Sequence, residues 1–357
     1  MRARLLIALL TTATAAASEA RDFPPPATIK PSLAPLIERA EHHEKTGQLQ
    51  AAISDYMEMI RLDPHTVLWR AGLARLFEET RQYDKAIGAW SKILEFESTN
   101  LGARFMRARL YALVGAHDKA MADASELIRQ HPNRAAGYTL RAAFNNDKHD
   151  YQKAIADANR ALQTEPRNVA ACSDAYLARA GAFLYLKKYN QAVADLLEAV
   201  KVDPKSTDAF NSLAWLLATC PDSTVRNGTK ATEHISRALQ LDPNKWALWD
   251  TRAAVFAENG DFENAAKWEE RCLQRKDLFE AERHKTTERL ALTVPVNHVG
   301  KSQNQPNLIP LRSGKKFLRL NSVSFKMVDD FHTATPTHAR PHPPSLISFS
   351  LGVCCVT

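Results

Sequence analysis

The side chains best equipped for chemistry in this sequence are its histidines, its cysteines and a set of arginines and aspartates that recur at fixed spacing. His42 and His43, followed by Glu44, would offer two imidazoles and a carboxylate to a metal ion. Adjacent residues on a helix diverge by about 100°, however, so two neighbouring imidazoles do not readily face one ion. His332, His338 and His342 are six and four residues apart, in a stretch with no helical pattern to gather them, and read as a solvated segment. Cys172, Cys220, Cys272, Cys354 and Cys355 contain no CxxC and are too scattered for a disulfide framework. They fit small hydrophobes packed in helices plus two terminal thiols. No nucleotide-binding glycine loop, HExxH, GxSxG or kinase signature occurs. No cofactor, no metal and no catalytic centre are therefore expected, because no nucleophile, base and orienting group converge.

The arginines and aspartates make sense once the elements that carry them are laid out. Pro64, Ser98, Pro132 and Pro166 follow one another at 34-residue intervals, and Pro204 and Pro243 come after gaps of 38 and 39. With this residue at place 32, units begin near Leu33, Val67, Leu101, Ala135, Ser173, Thr207 and Trp246, and the sixth takes five extra residues around Cys220 to Gly228. Place 8 is then Ala40, Ala74, Ala108, Ala142, Ala180, Ala214 and Ala253; place 20 is Ala52, Ala86, Ala120, Ala154, Ala192, Ala231 and Ala265. Fourteen alanines in fourteen slots describe two antiparallel helices per unit that approach closely only where neither is bulky. Larger residues such as Tyr56, Trp90, Phe77, Tyr111 and Phe183 fill the space around them, and Asp-Pro at 63–64, 203–204 and 242–243 ends the second helix.

Within this frame place 7 carries Arg39, Arg107, Arg141, Arg179 and Arg252, and place 23 carries Asp55, Asp123, Asp157 and Asp195. Four units hold both; the second and sixth hold neither, with Leu73 and Ala89 in one and Leu213 and His234 in the other. The pattern predicts an ion pair joining the two helices of a unit, partly exposed and worth roughly 0.2–1 kcal/mol. Arg252, set opposite Lys267, has no such partner.

The run Tyr176 to Pro204 (YLARAGAFLYLKKYNQAVADLLEAVKVDP), repeated in outline over residues 33–277, resembles the tetratricopeptide repeat family, and the sixth and seventh units resemble a recurrent bacterial version of it. The resemblance implies an all-α fold, a right-handed α-solenoid of about seven helix-turn-helix units, whose concave groove binds a protein or peptide partner and which has no catalytic activity of its own. Residues 278–294 read as a polar capping helix that covers the last unit. Places 2, 5, 6, 9, 12 and 13 of each first helix should line the groove. The family's lysine–asparagine–arginine clamp for a C-terminal carboxylate is absent, since its slots hold Ile37, Glu41, Gly72, Gly102 and Met106. The candidate partner-binding residues are instead Arg75, Phe105, Arg109, Thr139, Asn146, Tyr185, Asn211 and Trp215. Asparagines at such places would donate and accept toward a peptide backbone, and Arg75 with Arg109 would meet an acidic segment. Phe105 and Trp215 are equally suited to ordinary helix packing.

Both ends depart from the repeat. Arg2 and Arg4 precede an apolar run from Leu5 to Leu10, small residues to Ala17 and the small-x-small sequence Ser18-Glu19-Ala20. That is the layout of a secretory signal peptide over residues 1–20, followed by a proline-rich linker over 21–32, and it predicts a periplasmic or secreted protein. No later stretch is apolar enough for stable membrane insertion. Residues 295–357 contain no glutamate and clustered prolines, and read as a disordered basic tail. Residues 296–357 carry a net charge of +5 and so leave only +2 of the total +7 for the first 295 residues, which argues against a nucleic-acid partner for the main body. Asn227-Gly228-Thr229 satisfies an N-glycosylation pattern but reads as a loop. The function these features predict is a non-enzymatic interaction scaffold in the cell envelope, with a regulatory or substrate-recruiting subunit of a separate enzyme as the alternative.

Overall fold

Alanine at places 8 and 20 dictates how the helices meet. In the computed structural model every one of the fourteen is at most 1% exposed. The structure describes residues 33–275 and positions 283, 284, 286, 287 and 290. The expected leader, proline-rich linker and basic tail, with His332, His338, His342, Cys354 and Cys355, lie outside the described residues, as does most of the expected capping helix.

Among the described residues the fold is all-α, with fourteen helices and no strand. Six antiparallel pairs with short turns account for twelve of them: α1 (Ala34–Lys45) with α2 (Leu49–Leu62), α3 (Val67–Glu79) with α4 (Tyr83–Phe96), α5 (Leu101–Leu113) with α6 (His117–Gln130), α7 (Ala135–Asp147) with α8 (Tyr151–Thr164), α9 (Val169–Tyr185) with α10 (Tyr189–Val202), and α13 (Trp246–Glu258) with α14 (Phe262–Leu273). Between them α11 (Thr207–Thr219) and α12 (Gly228–Leu241) flank a longer connection.

The described residues fall into two compact units, with the boundary inside α11 after Leu213. In the first unit each second helix packs on the first helix of the next pair, α2 on α3, α4 on α5, α6 on α7 and α8 on α9. First helices also touch one another, α5 with α7 and α7 with α9, so their outer surfaces form a shared face. The cores are local to neighbouring repeats: Trp69, Leu76, Met59 and Tyr56 in one, Phe105, Leu127, Leu140 and Phe144 in another. Gly72 is required by close approach, because a Cβ there would run into the Tyr56 ring. The four residues that stretch one interval to 38 appear as an extra first turn of α9, which starts at Val169.

In the second unit α12 packs on α13 and α13 on α14. The insertion of the sixth repeat runs from Cys220 to Asn227 and is tied down at both ends. Arg226 Nη1 donates to the Cys220 carbonyl at 2.9 Å, and its Nε reaches Glu258 Oε1 at 3.2 Å. Asn227 caps α12, its Oδ1 accepting from the Lys230 amide at 2.9 Å. Asn100 and Asn168 cap α5 and α9 in the same way, each worth about 1 kcal/mol to its helix. Positions 283, 284, 286, 287 and 290 are helical, and Arg283 donates to the carbonyls of Leu273 and Arg275 at 2.6 and 2.7 Å.

Candidate functional site

The sixteen-residue offset between places 7 and 23 brings arginine and aspartate together in all four repeats that hold both. Arg39 Nε lies 2.8 Å from Asp55 Oδ1. Arg107, Arg141 and Arg179 each grip their aspartate with two nitrogens, at 2.7–2.8 Å, 2.7–2.8 Å and 2.6–2.8 Å. These hydrogen bonds hold the guanidinium pKa values of Arg107, Arg141 and Arg179 above the usual arginine range. The aspartates are far less exposed than expected, with side chains between 3 and 10% accessible. Further donors complete their shells: His43 Nδ1 meets Asp55 Oδ2 at 2.7 Å, and Asn145 Nδ2 donates to Asp157 Oδ2 at 3.0 Å. His43 is thereby committed to packing two helices, and among the described residues no group of three or more His, Cys, Asp or Glu is placed to hold a metal ion. The same arginines reach into the preceding repeat, Arg107 to Ser91 Oγ at 3.1 Å and Arg179 to Asn159 Oδ1 at 2.5 Å.

Arg252 departs from the expectation. Counting sixteen residues on reaches Trp268, not Lys267, and the structure shows the guanidinium over the Trp268 ring at 5.3 Å from its centroid. Lys267 sits one position away, about 100° round α14, and bonds Glu263 Oε1 at 2.7 Å.

The first-helix residues proposed for recognition divide by exposure. Arg75 on α3 is nearly half exposed, at 47% of its side chain, and pairs with Glu44 Oε2 of α1 at 2.5 Å. Tyr56 of α2 lies beside this pair, and burial followed by the charge of Glu44 drives its hydroxyl pKa upward. Tyr185, partly buried at the end of α9, stacks on Tyr151 with centroids 4.9 Å apart and planes at 11°, with the His149 ring edge-on to both.

The other six are buried. Phe105 belongs to the core with Leu127, Leu140 and Phe144. Thr139 turns its hydroxyl onto the Ala136 carbonyl at 2.9 Å, as helix threonines do when no other acceptor is near. Asn146 spans from α7 to α9, donating to the Ala178 carbonyl at 2.7 Å. Asn211 is 2% exposed, and the Oδ1 atoms of Asn146 and Asn211 are buried without a hydrogen-bond donor. Trp215, in the second unit, is 6% exposed, and its carbonyl accepts from Thr219 at 2.8 Å. Arg109 is buried against Met106 Sδ at 3.1 Å; burial lowers its pKa while Glu78 and Asp174 work the other way. Arg109, Asn146 and Asn211, expected to meet a partner, therefore have their side chains within the fold, where Asn146 donates to a neighbouring helix and Arg109 faces the charges of Glu78 and Asp174.

A carboxylate network on the same face had no place in the sequence reading. Glu78, whose pKa burial raises, accepts from Trp90 Nε1 at 3.0 Å and feels the charges of Arg109 and Arg75. Glu44 and Glu78 occupy place 12 of the first two repeats, and Arg75 and Arg109 place 9 of the second and third. The signal was an offset of 31 residues between repeats, whereas only offsets within one repeat were compared.

The comparisons with known proteins follow from this geometry. Family models of the tetratricopeptide repeat match residues 37–98 and 173–206. The chain is a tetratricopeptide repeat protein. Among solved structures, one similar to it is a tetratricopeptide repeat protein from Parabacteroides merdae, with 17% identity over 74% of this chain and 99% of that one and a TM-score of 0.55. Yeast Tom70 is similar at 16% identity and a TM-score of 0.53, over 68% of this chain and 50% of Tom70. At these identities the likeness is one of fold. No curated protein matches the sequence. Tetratricopeptide repeats are protein-interaction scaffolds, and among the described residues of this one no helix is long and apolar enough to cross a membrane.

Proposed function

We propose that this tetratricopeptide repeat protein is an exported, non-enzymatic scaffold that holds a protein or peptide partner on the first-helix face of its first unit, in the cell envelope. The observation that carries the reading is the Glu44–Arg75–Tyr56 group. It joins α1 to α3 through an ion pair set beside the core residue Tyr56 of α2, and it presents a half-exposed guanidinium at the edge of that core. Tyr185 supports it as a second partly exposed aromatic on the same set of helices. Because Arg75 and Arg109 already face carboxylates of the chain, a partner that docks here has to compete with Glu44, which favours a segment of mixed charge over a purely acidic one.

Capture of envelope proteins by the wild type, Arg75→Ala and Tyr185→Ala tests the docking face. Arg75→Ala should weaken capture of a specific partner by roughly 1–3 kcal/mol. Its melting curve should barely move, since an exposed ion pair is worth about 1 kcal/mol or less. Equal capture by all three proteins would reject the face. Export rests on Arg2, Arg4, the Leu5–Leu10 run and Ser18-Glu19-Ala20. Protein recovered from the native cell should begin at Arg21, and an intact Met1 would reject that part of the proposal.

A further inference from the structure

The last repeat keeps its place-7 arginine and exchanges the neutralising aspartate for an indole. Arg252 lies over Trp268 at 5.3 Å and over Phe256 at 5.2 Å. Arg271, one turn beyond Trp268 on α14, lies over Trp268 at 4.9 Å and over Trp249 of α13 at 4.2 Å, and Arg275 lies over Trp249 at 5.6 Å. Three guanidiniums therefore alternate with three aromatic rings. Trp249 is fixed within the ladder by its N–H, which donates to the Pro243 carbonyl at 2.8 Å.

A guanidinium stacked on a ring uses its flat faces and leaves its N–H edges free to point outward as a fork. Arg271 is exposed, and among the described residues neither it nor Arg252 has a carboxylate within ion-pair distance. This contrasts with Arg39, Arg107, Arg141 and Arg179, each neutralised by its own aspartate. The Arg252 Nε–H is in addition buried without an acceptor. Rings that hold a guanidinium in place also lower the ordering cost of an incoming bidentate contact.

We propose that the Arg252–Trp268–Arg271–Trp249 ladder of the last repeat is a docking surface for a short acidic segment, rich in aspartate or glutamate, of a partner protein. Carboxylates match the edge-on fork of a stacked arginine such as the exposed Arg271, and the partly exposed Trp268 ring beside it suits a side chain that carries a methylene stem. The exposed Glu263 and Glu270 of the same repeat limit the site to a short segment that meets Arg271 directly, since a long anion of either kind would also have to cross them. The ladder belongs to the second unit and the Arg75 group to the first, and the proposal stands whether or not that group binds a partner.

The test uses the full chain and a fluorescein-labelled oligoglutamate peptide, with oligoglutamine and oligothymidine of equal length, followed by anisotropy at low ionic strength. Oligoglutamate should bind and oligoglutamine should not. Arg271→Gln should weaken oligoglutamate binding roughly fivefold or more, and Arg271→Lys, which keeps the charge and loses the fork, should also weaken it. Arg61→Gln removes the same charge from an exposed arginine already paired with Glu58 at 2.6 Å and should leave binding unchanged. Both Arg271 variants change an exposed side chain, so unchanged far-ultraviolet melting curves confirm that they fold. Failure of the wild type to bind oligoglutamate, equal losses in the Arg61 and Arg271 variants, or tighter Arg271-dependent binding of oligothymidine would overturn the proposal.

Discussion

Consider a carboxylate such as Asp157, a tenth exposed, gripped by two nitrogens of Arg141 and by Asn145. The pair was expected to be worth the small sum of a surface ion pair, but the burial of one partner makes the two deletions unequal. Arg141→Leu leaves a charged oxygen pair inside the repeat with only Asn145 to satisfy it, and an uncompensated buried charge costs about 3 kcal/mol. Asp157→Leu leaves a guanidinium whose side chain is 31% exposed and can turn to water, so its cost should stay at roughly 1–2 kcal/mol. Urea denaturation of the wild type, both single variants and the double variant checks this. If the two single losses are equal, or if the double variant loses their sum, the aspartate is not the buried member of a coupled pair.

Helix pairs are closed by turns, and here the chain makes an unfavourable choice in half of them. The second residue of the turn, place 15, has positive φ in six repeats: Gly47, Gly115 and Gly260 take it without penalty, whereas Arg81, His149 and Lys187 are forced into it at 59°, 63° and 57°. A left-handed conformation costs a residue with a Cβ about 1 kcal/mol. Lys187 is exposed and its side chain makes no contact described here, so Lys187→Gly should raise stability by roughly 0.5–1 kcal/mol, seen as a higher denaturation midpoint. A lower midpoint would mean that lost chain entropy outweighs the relieved strain. This element was half legible in the sequence, since three turn glycines were visible and the three occupied positions beside them were not recognised as equivalent. The helix pairs were fully legible, because alanine at places 8 and 20 reports a distance that only small residues permit. Exposure on the first-helix face was not. Spacing tells which side of a helix a residue occupies, but whether Phe105, Thr139 or Asn146 is covered depends on neighbours contributed by other repeats.

At the scale of whole units, a stacked array distributes stability by neighbour number. In the first unit α7 buries ten of its thirteen residues, packed against α6 and α8 and touching α5 and α9, whereas α1 buries only Ala40 and packs against α2. Each helix is cooperative within itself, but nothing obliges the two to open together when successive repeats are joined only through their immediate contacts. Amides of α1 should therefore exchange with deuterium well before those of α7, with α3 and α5 between them. The half-exposed Arg75 group, which joins α1 to α3, lies on the side that opens first. A partner bound across it should slow exchange in α1 and α3 and leave α7 unchanged. Hydrogen exchange resolved by peptide decides the matter: equal protection from α1 to α7 would mean that the unit opens as one cooperative body, and the neighbour-by-neighbour account of its stability would be wrong.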